Sequence, residues 1–201
     1  RLGILTTLPG EWMEHFLARQ RAEATDERIE LVEGRERDLM ERLARGRIDL
    51  ALTLLRRDDG RMARVPLFTE GYSLAMSARH PLATQDKIEG AELADNVMLV
   101  RRHCELLPDT SRWFTARGVR PFFAARTTSD DQALRLVRAG LGVTVMPDCF
   151  TAPGVVRPRL ADFPFMREVG LLFAPHADAA ALRERPSVRI LIETIEAARE
   201  E

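Results

Sequence analysis

The sequence lacks a basic excess. Its 201 residues hold 30 lysines and arginines against 31 aspartates and glutamates, a formal net charge of -1. A chain that binds nucleic acid unaided usually carries a basic surplus or stripe, so this one is not expected to hold DNA or RNA by itself. Lysine is almost missing: Lys87 is the only one, and the arginines are scattered among acids, which reads as coding bias before function. Cysteine is scarce. Cys104 and Cys149 lie too far apart in the chain for a disulfide framework, which points to a reducing cytoplasm. No run approaches the roughly 20 apolar residues of a membrane helix, and nothing resembles a signal peptide. There is no phosphate-binding P-loop, no Gly-x-Ser-x-Gly and no His-Glu-x-x-His. His15, His80 and His176 have no partner at metal-ligand spacing, and two distant cysteines make no zinc site. The expectation is therefore no metal, no cofactor and no catalytic residue.

What is present is a 45% hydrophobic content, enough for a sizeable core or two small lobes. Strand-like runs alternate with helical patterns, which argues for an α/β architecture with largely parallel sheets. Strands are expected at Leu2 to Leu5, Ile29 to Val32, Ile48 to Leu55, Tyr72 to Met76, Val97 to Val100, Phe122 to Arg126, Val143 to Met146 and Val169 to Phe173. Helical spacing puts Trp12, Met13, Phe16 and Leu17 on one face after Pro9-Gly10, and Leu39, Met40 and Leu43 on another, closed by Gly46. Further helices are expected over Thr110 to Arg117, over Asp130 to Ala139 with Ala133, Leu134 and Val137 inward, and over Val188 to Ala198 with Ile192 and Ile195 on one face. Asp58-Asp59-Gly60 reads as a turn. The chain opens at Arg1, without Met, in an apolar run, as a fragment with a missing upstream part would.

The order of elements resembles the effector-binding domain of LysR-type transcription regulators along almost the whole chain. Leu43-Ala44-Arg45-Gly46-Arg47-Ile48-Asp49-Leu50-Ala51-Leu52 is similar to that family's most recognisable stretch. Leu2 to Leu8, Glu30 to Gly34, Pro66 to Glu70, His80 to Ala83 and Val137 to Pro147 also resemble it in order and spacing. The resemblance implies the type 2 periplasmic-binding-protein fold: two Rossmann-like α/β lobes joined by two crossing strands, with a ligand cleft between them. Carried onto this chain, lobe I is 1–71 plus 167–201 and lobe II is 72–166. It also implies pairing into homodimers or homotetramers. DNA would be bound only through a winged helix-turn-helix domain absent from this chain.

Ligands of open α/β sheets sit beyond the carboxyl ends of the strands, where helix N-termini suit anions. Four segments are therefore candidates for holding a small, anionic effector. Thr6 and Thr7 follow the first strand, and Thr7 sits where the family often has a cleft hydroxyl; it reads equally as a helix cap. Arg35 and Glu36 precede the second helix, and a carboxylate at Glu36 departs from the family's small hydroxyl residue; it also reads as an acid in a first turn. Arg101, His103 and Cys104 follow a strand of lobe II, where an arginine clamps a carboxylate or simply belongs to a solvated loop. Thr128 and Ser129 lead into a helix as ligand donors, with Ser129 or Asp130 as cap.

His103-Cys104 resembles the sensing-cysteine segment of the family's peroxide-sensing branch. That branch pairs its cysteine with another about nine residues on, and Trp113 occupies that place here. On an extended segment neighbouring side chains point opposite ways, so His103 is a poor base for Cys104. Arg101 and Arg102 would lower the thiol pKa, yet an ordinary lining or buried cysteine is the plainer reading. The main expectation is thus a ligand-sensing domain without enzyme activity. The alternatives are a thiol-based redox sensor using Cys104, a periplasmic solute-binding protein, and an enzyme assembled from scattered residues.

Overall fold

A computed structural model describes residues 1–23, 26–60 and 62–200. In chain order the elements are β1 (Leu2–Leu5), α1 (Gly10–Ala22), β2 (Leu31–Gly34), α2 (Glu36–Ala44), β3 (Leu50–Leu54), β4 (Arg64–Ser77), β5 (Lys87–Ile88), a 3₁₀ turn (Gly90–Leu93), β6 (Val97–Arg101), α3 (Leu107–Ala116), β7 (Phe122–Thr127), α4 (Asp130–Arg138), β8 (Thr144–Pro147), β9 (Val155–Val156), β10 (Arg159–Leu160), β11 (Met166–Phe173), α5 (Ala179–Arg183) and α6 (Pro186–Glu200). The chain divides into two units: unit 1 is Arg1–Thr69 plus Arg167–Glu201, and unit 2 is Glu70–Met166. β4 carries the chain from the first to the second.

In unit 1 the sheet runs β2-β1-β3-β11, with β4 beside β11. β1 lies parallel to β2 and β3, with Leu5 opposite Gly34 and Leu2 opposite Leu50. β11 runs antiparallel to β3. Every residue of β1 and β3 is buried, as strands covered on both faces must be. α2 packs Leu39 and Leu43, both fully buried, where each side chain contributes about 1.5–3 kcal/mol by leaving water. The stop expected after α2 falls at Gly46, whose φ of 65° suits a residue without Cβ. Gly170 is fixed by close approach instead: a Cβ there would sit 2.3 Å from the Val65 carbonyl oxygen.

In unit 2, β6 and β7 pair in parallel, with Arg101 opposite Thr127. β4 pairs antiparallel with β8 and β9, while β5 and β10 pair in parallel. Parallel pairing predominates in each unit, as expected, and the antiparallel exceptions are the two long strands that link them, β4 and β11. The core of unit 2 gathers Tyr72, Leu74, Met76, Trp113, Phe114 and Val145, among others.

Several local expectations shift. The helix expected from Thr110 begins at Leu107, because Pro108 in its first turn has φ preset for a helix and no N–H to satisfy. Leu17 is exposed while Trp12 and Phe16 are buried, so the inner face of α1 is narrower than the spacing implied. In α6 the buried face is Val188, Ile190, Leu191 and Ile195 with Thr194, and Ile192 lies to its side. The strand expected from Tyr72 is the second half of one 14-residue strand.

Candidate functional site

The candidate residues of unit 1 meet at the carboxyl ends of β1 and β2. The Thr6 backbone N–H donates to the Gly34 carbonyl at 3.0 Å, which sets the β1 exit beside the β2 exit. α1 starts at Gly10 with Pro9 as its N-cap and no side-chain cap, so Thr7 does not cap it. Thr7 is buried, and Arg167 donates to its hydroxyl at 3.1 Å and to its carbonyl at 3.0 Å. The Thr6 hydroxyl oxygen is buried with no hydrogen-bond partner among the described residues. Arg35 is the N-cap residue of α2, and its guanidinium grips Asp38 through Nε at 2.9 Å. Glu36 accepts two hydrogen bonds from Arg56, at 2.7 and 2.9 Å. This explains a carboxylate at that position: it has a guanidinium partner as well as a favourable place in a helix's first turn.

In unit 2 the parallel pairing of β6 and β7 brings the other candidates together. The Arg102 N–H donates to the Thr127 carbonyl at 2.7 Å. Arg101 is 2% exposed and Asp130 3%. Nε of Arg101 donates to Asp130 Oδ1 at 2.7 Å, Nη2 donates to Oδ2, and Nη1 donates to the Val145 carbonyl at 3.0 Å. The two-pronged grip expected for a ligand carboxylate is thus made on Asp130. Burial works against the charge on Arg101, but the Asp130 carboxylate and nearby Cys104 outweigh it and hold its pKa above the ordinary value. Ser129 is the N-cap of α4, accepting from the Gln132 N–H at 3.2 Å. Asp130 and Asp131 in the first turn and Arg135 and Arg138 in the last complement the helix dipole. Thr128 is exposed.

Arg102 and His103 form a turn, closed by the Cys104 N–H donating to the Arg101 carbonyl at 3.2 Å. The strand alternation expected to separate His103 from Cys104 therefore does not apply. His103 Nδ1 is buried with no hydrogen-bond partner among the described residues. Burial raises the Cys104 thiol pKa above its ordinary value; Arg101, 3.4 Å away through Nη1, opposes this, and Glu105 adds to it. Cys149 is buried, and its N–H donates to Glu70 Oε2 at 2.6 Å.

Two features escaped the sequence. One is Arg167, whose only signal is a cation leading into the apolar run Val169–Phe173. The other is a chamber of about 550 Å³ inside unit 2, between α3 and the β6–β7 pair, with Cys104 in its wall. Its walls come from four separate segments, so no single stretch of sequence announces it.

Comparisons with known proteins bear on the family and the fold. A family model described as LysR substrate binding domain matches residues 1–198. The chain is 28% identical over 149 residues to the hydrogen peroxide-inducible genes activator of Haemophilus influenzae, covering 73% of this chain and 49% of that protein. It is 28% identical over 180 residues to a probable hydrogen peroxide-inducible genes activator of Mycobacterium avium, covering 86% and 58%. The chain thus spans about half the length of the curated relatives it matches. Among solved structures, the C-terminal domain of a probable LysR family transcriptional regulator from Rhodococcus sp. RHA1 aligns with a TM-score of 0.74 at 23% identity, over 96% of both chains. The BenM effector binding domain with its effector benzoate aligns at 0.69 and 21% identity, over 100% of this chain and 92% of that one. The reduced form of OxyR aligns at 0.67 and 22%, over 99% and 94%. The mixed α/β fold is that of LysR effector-binding domains, of the type 2 periplasmic-binding-protein class.

Proposed function

Because the chain belongs to the LysR substrate-binding domain family, we propose that it senses a small anionic effector for a LysR-type transcription regulator, in the cytoplasm, by binding rather than by turnover. The family match over residues 1–198 carries this reading. The chemistry comes from the strand ends of each unit: Thr6, Thr7, Arg35 and Glu36 in unit 1, and Arg101, His103, Cys104, Thr128 and Ser129 in unit 2. In support, a buried guanidinium and a hydroxyl, Arg167 and Thr7, converge at the end of β1, and such donors favour an anion. The effector acts by binding one arrangement of the regulator better than another, since equal affinity shifts nothing. The regulator is a homodimer or homotetramer, and an N-terminal domain outside this chain holds the DNA.

A thermal-shift panel of aromatic and aliphatic acids, amino acids and sugars tests the reading. One acid should raise the melting midpoint in a saturable way, and Thr7→Ala should lose that response. A panel without any shift, on a full-length protein that also fails to bind DNA, would sink it. A second reading, thiol sensing at Cys104, is favoured by the hydrogen peroxide-inducible activators among the relatives. It predicts a peroxide-induced change in melting that Cys104→Ser abolishes.

A further inference from the structure

We propose that the chamber inside unit 2 is a second ligand site, built for an amphipathic organic anion: an apolar chain or ring ending in one carboxylate. This goes beyond the effector reading: every lining residue belongs to unit 2, so Thr6, Thr7, Arg35 and Glu36 have no part in it, and only Arg101 and Cys104 are shared with the effector candidates. Its volume of about 550 Å³ is that of a small-molecule site. Its walls are mainly apolar, with Leu107 and Phe114 of α3 facing Met98 and Leu99 of β6, and Val119 and Val145 completing them. Such a surface gains by excluding water.

Charge selects the ligand's other end. The chain as a whole balances acids against bases, but the lining contains Arg101, Arg120 and Arg126 and no aspartate or glutamate among the described residues. Arg101 is occupied by Asp130. Arg120 and Arg126 are exposed and form no ion pair among the described residues. Arg126 lies over the half-exposed Phe123 ring, 5.9 Å from its centre, which marks the solvent side of the chamber. Ser111, exposed on α3, adds a hydroxyl to the lining. A bound carboxylate is therefore held at the arginine side, with the apolar body running inward past Cys104. An occupied chamber covers the Cys104 thiol, so thiol access reads occupancy directly.

The test alkylates the whole chain with iodoacetamide and follows Cys104 by peptide-resolved mass spectrometry. Decanoate is the probe, with decylamine as its cationic counterpart. Decanoate should slow alkylation saturably, by about tenfold or more at saturation, and decylamine should act only at higher concentration. The double variant Arg120→Gln/Arg126→Gln should weaken decanoate about two- to thirty-fold, two exposed ion pairs' worth. Ser111→Trp, at an exposed helix position, should fill the chamber and remove protection while leaving the melting midpoint near wild type. Thr7→Ala should leave decanoate protection unchanged, even though it removes the effector response proposed above, so the two readings fail separately. The proposal is overturned by absent or non-saturable protection, by equal protection from decylamine, by protection that survives Ser111→Trp, or by protection lost in Thr7→Ala.

Discussion

Asp130→Ala strands a charge that the protein cannot discharge. Arg101 and Asp130 are both almost fully buried and joined at two points. Without the carboxylate, the guanidinium keeps the Val145 carbonyl at 3.0 Å and the Cys104 sulfur at 3.4 Å, two neutral acceptors for a full positive charge. Arginine does not deprotonate in proteins, so the penalty stays electrostatic. Breaking a buried pair on one side costs about 3–5 kcal/mol, against a total of about 5–15 kcal/mol for a typical domain. Arg101→Met/Asp130→Leu removes both charges at similar volume and should lie far closer to wild type. Arg101→Met alone leaves the Asp130 carboxyl buried without its guanidinium and should cost a similar amount. Guanidinium unfolding followed by tryptophan fluorescence measures this. The two tryptophans divide between the units, Trp12 in unit 1 and Trp113 in unit 2, so a Trp12→Phe background reports unit 2 alone. An Asp130→Ala cost below about 1 kcal/mol, the range of an exposed pair, would refute the reasoning, as would a double variant no better than the single.

Three other outcomes follow from single contacts. Gly90→Ala would place a Cβ 2.6 Å from Trp113 Cη2 and should cost unit 2 about 1–3 kcal/mol by overpacking; less than additive loss with Trp113→Phe in a double-mutant cycle checks the cause. Because burial holds the Cys104 thiol above its ordinary pKa, its alkylation rate should rise with a midpoint above that of a free thiol, and Arg101→Met should push it higher; a midpoint below the free-thiol value contradicts this. The Arg1 guanidinium holds the Asp49 carboxyl below its ordinary value of 3.8. The stabilisation it gives is present above 3.8 and fades as pH falls through the lowered folded value, and a carboxyl-carbon NMR titration should show the midpoint climbing in Arg1→Gln.

The parts legible in the sequence are those written in one stretch of chain. α4 is the clearest: Ser129 caps it, acids open it, arginines close it, and Ala133, Leu134 and Val137 line its buried face, so local chemistry and tertiary packing agree. The strand ends carrying Thr7 and Cys104 could be placed because parallel strands expose their carboxyl ends at one edge. What stayed hidden depends on chain segments far apart in sequence. Arg101 and Asp130 are 29 residues apart, and both looked like loop or cap residues until pairing of β6 with β7 joined them. Arg167 meets Thr7 across 160 residues. Antiparallel pairing of β4 with β8 was equally hidden, because an apolar run specifies burial but not the direction of its neighbour.

Trp113 limits what Cys104 can do. It stands nine residues after Cys104, and the structure anchors it on three sides. Its indole N–H donates to the Asp162 carbonyl at 2.7 Å, its ring meets Phe163 edge-on at 5.4 Å, and the Arg117 guanidinium lies 3.9 Å above it. The second half of α3 is thereby tied to the segment around Asp162, although Phe114 and Thr115 still line the chamber beside Leu107, Pro108, Thr110 and Ser111 of the first half. A disulfide needs a second thiol with its Cα within about 7 Å, and the position that would offer one on this helix is filled by an indole locked into the core. The remaining thiol, Cys149, is buried on another segment against Glu70. This helix therefore offers Cys104 no partner sulfur at the ninth position. Occupancy beside Cys104, or oxidation of its sulfur, bears first on the first half of α3, because the second half is anchored through Trp113.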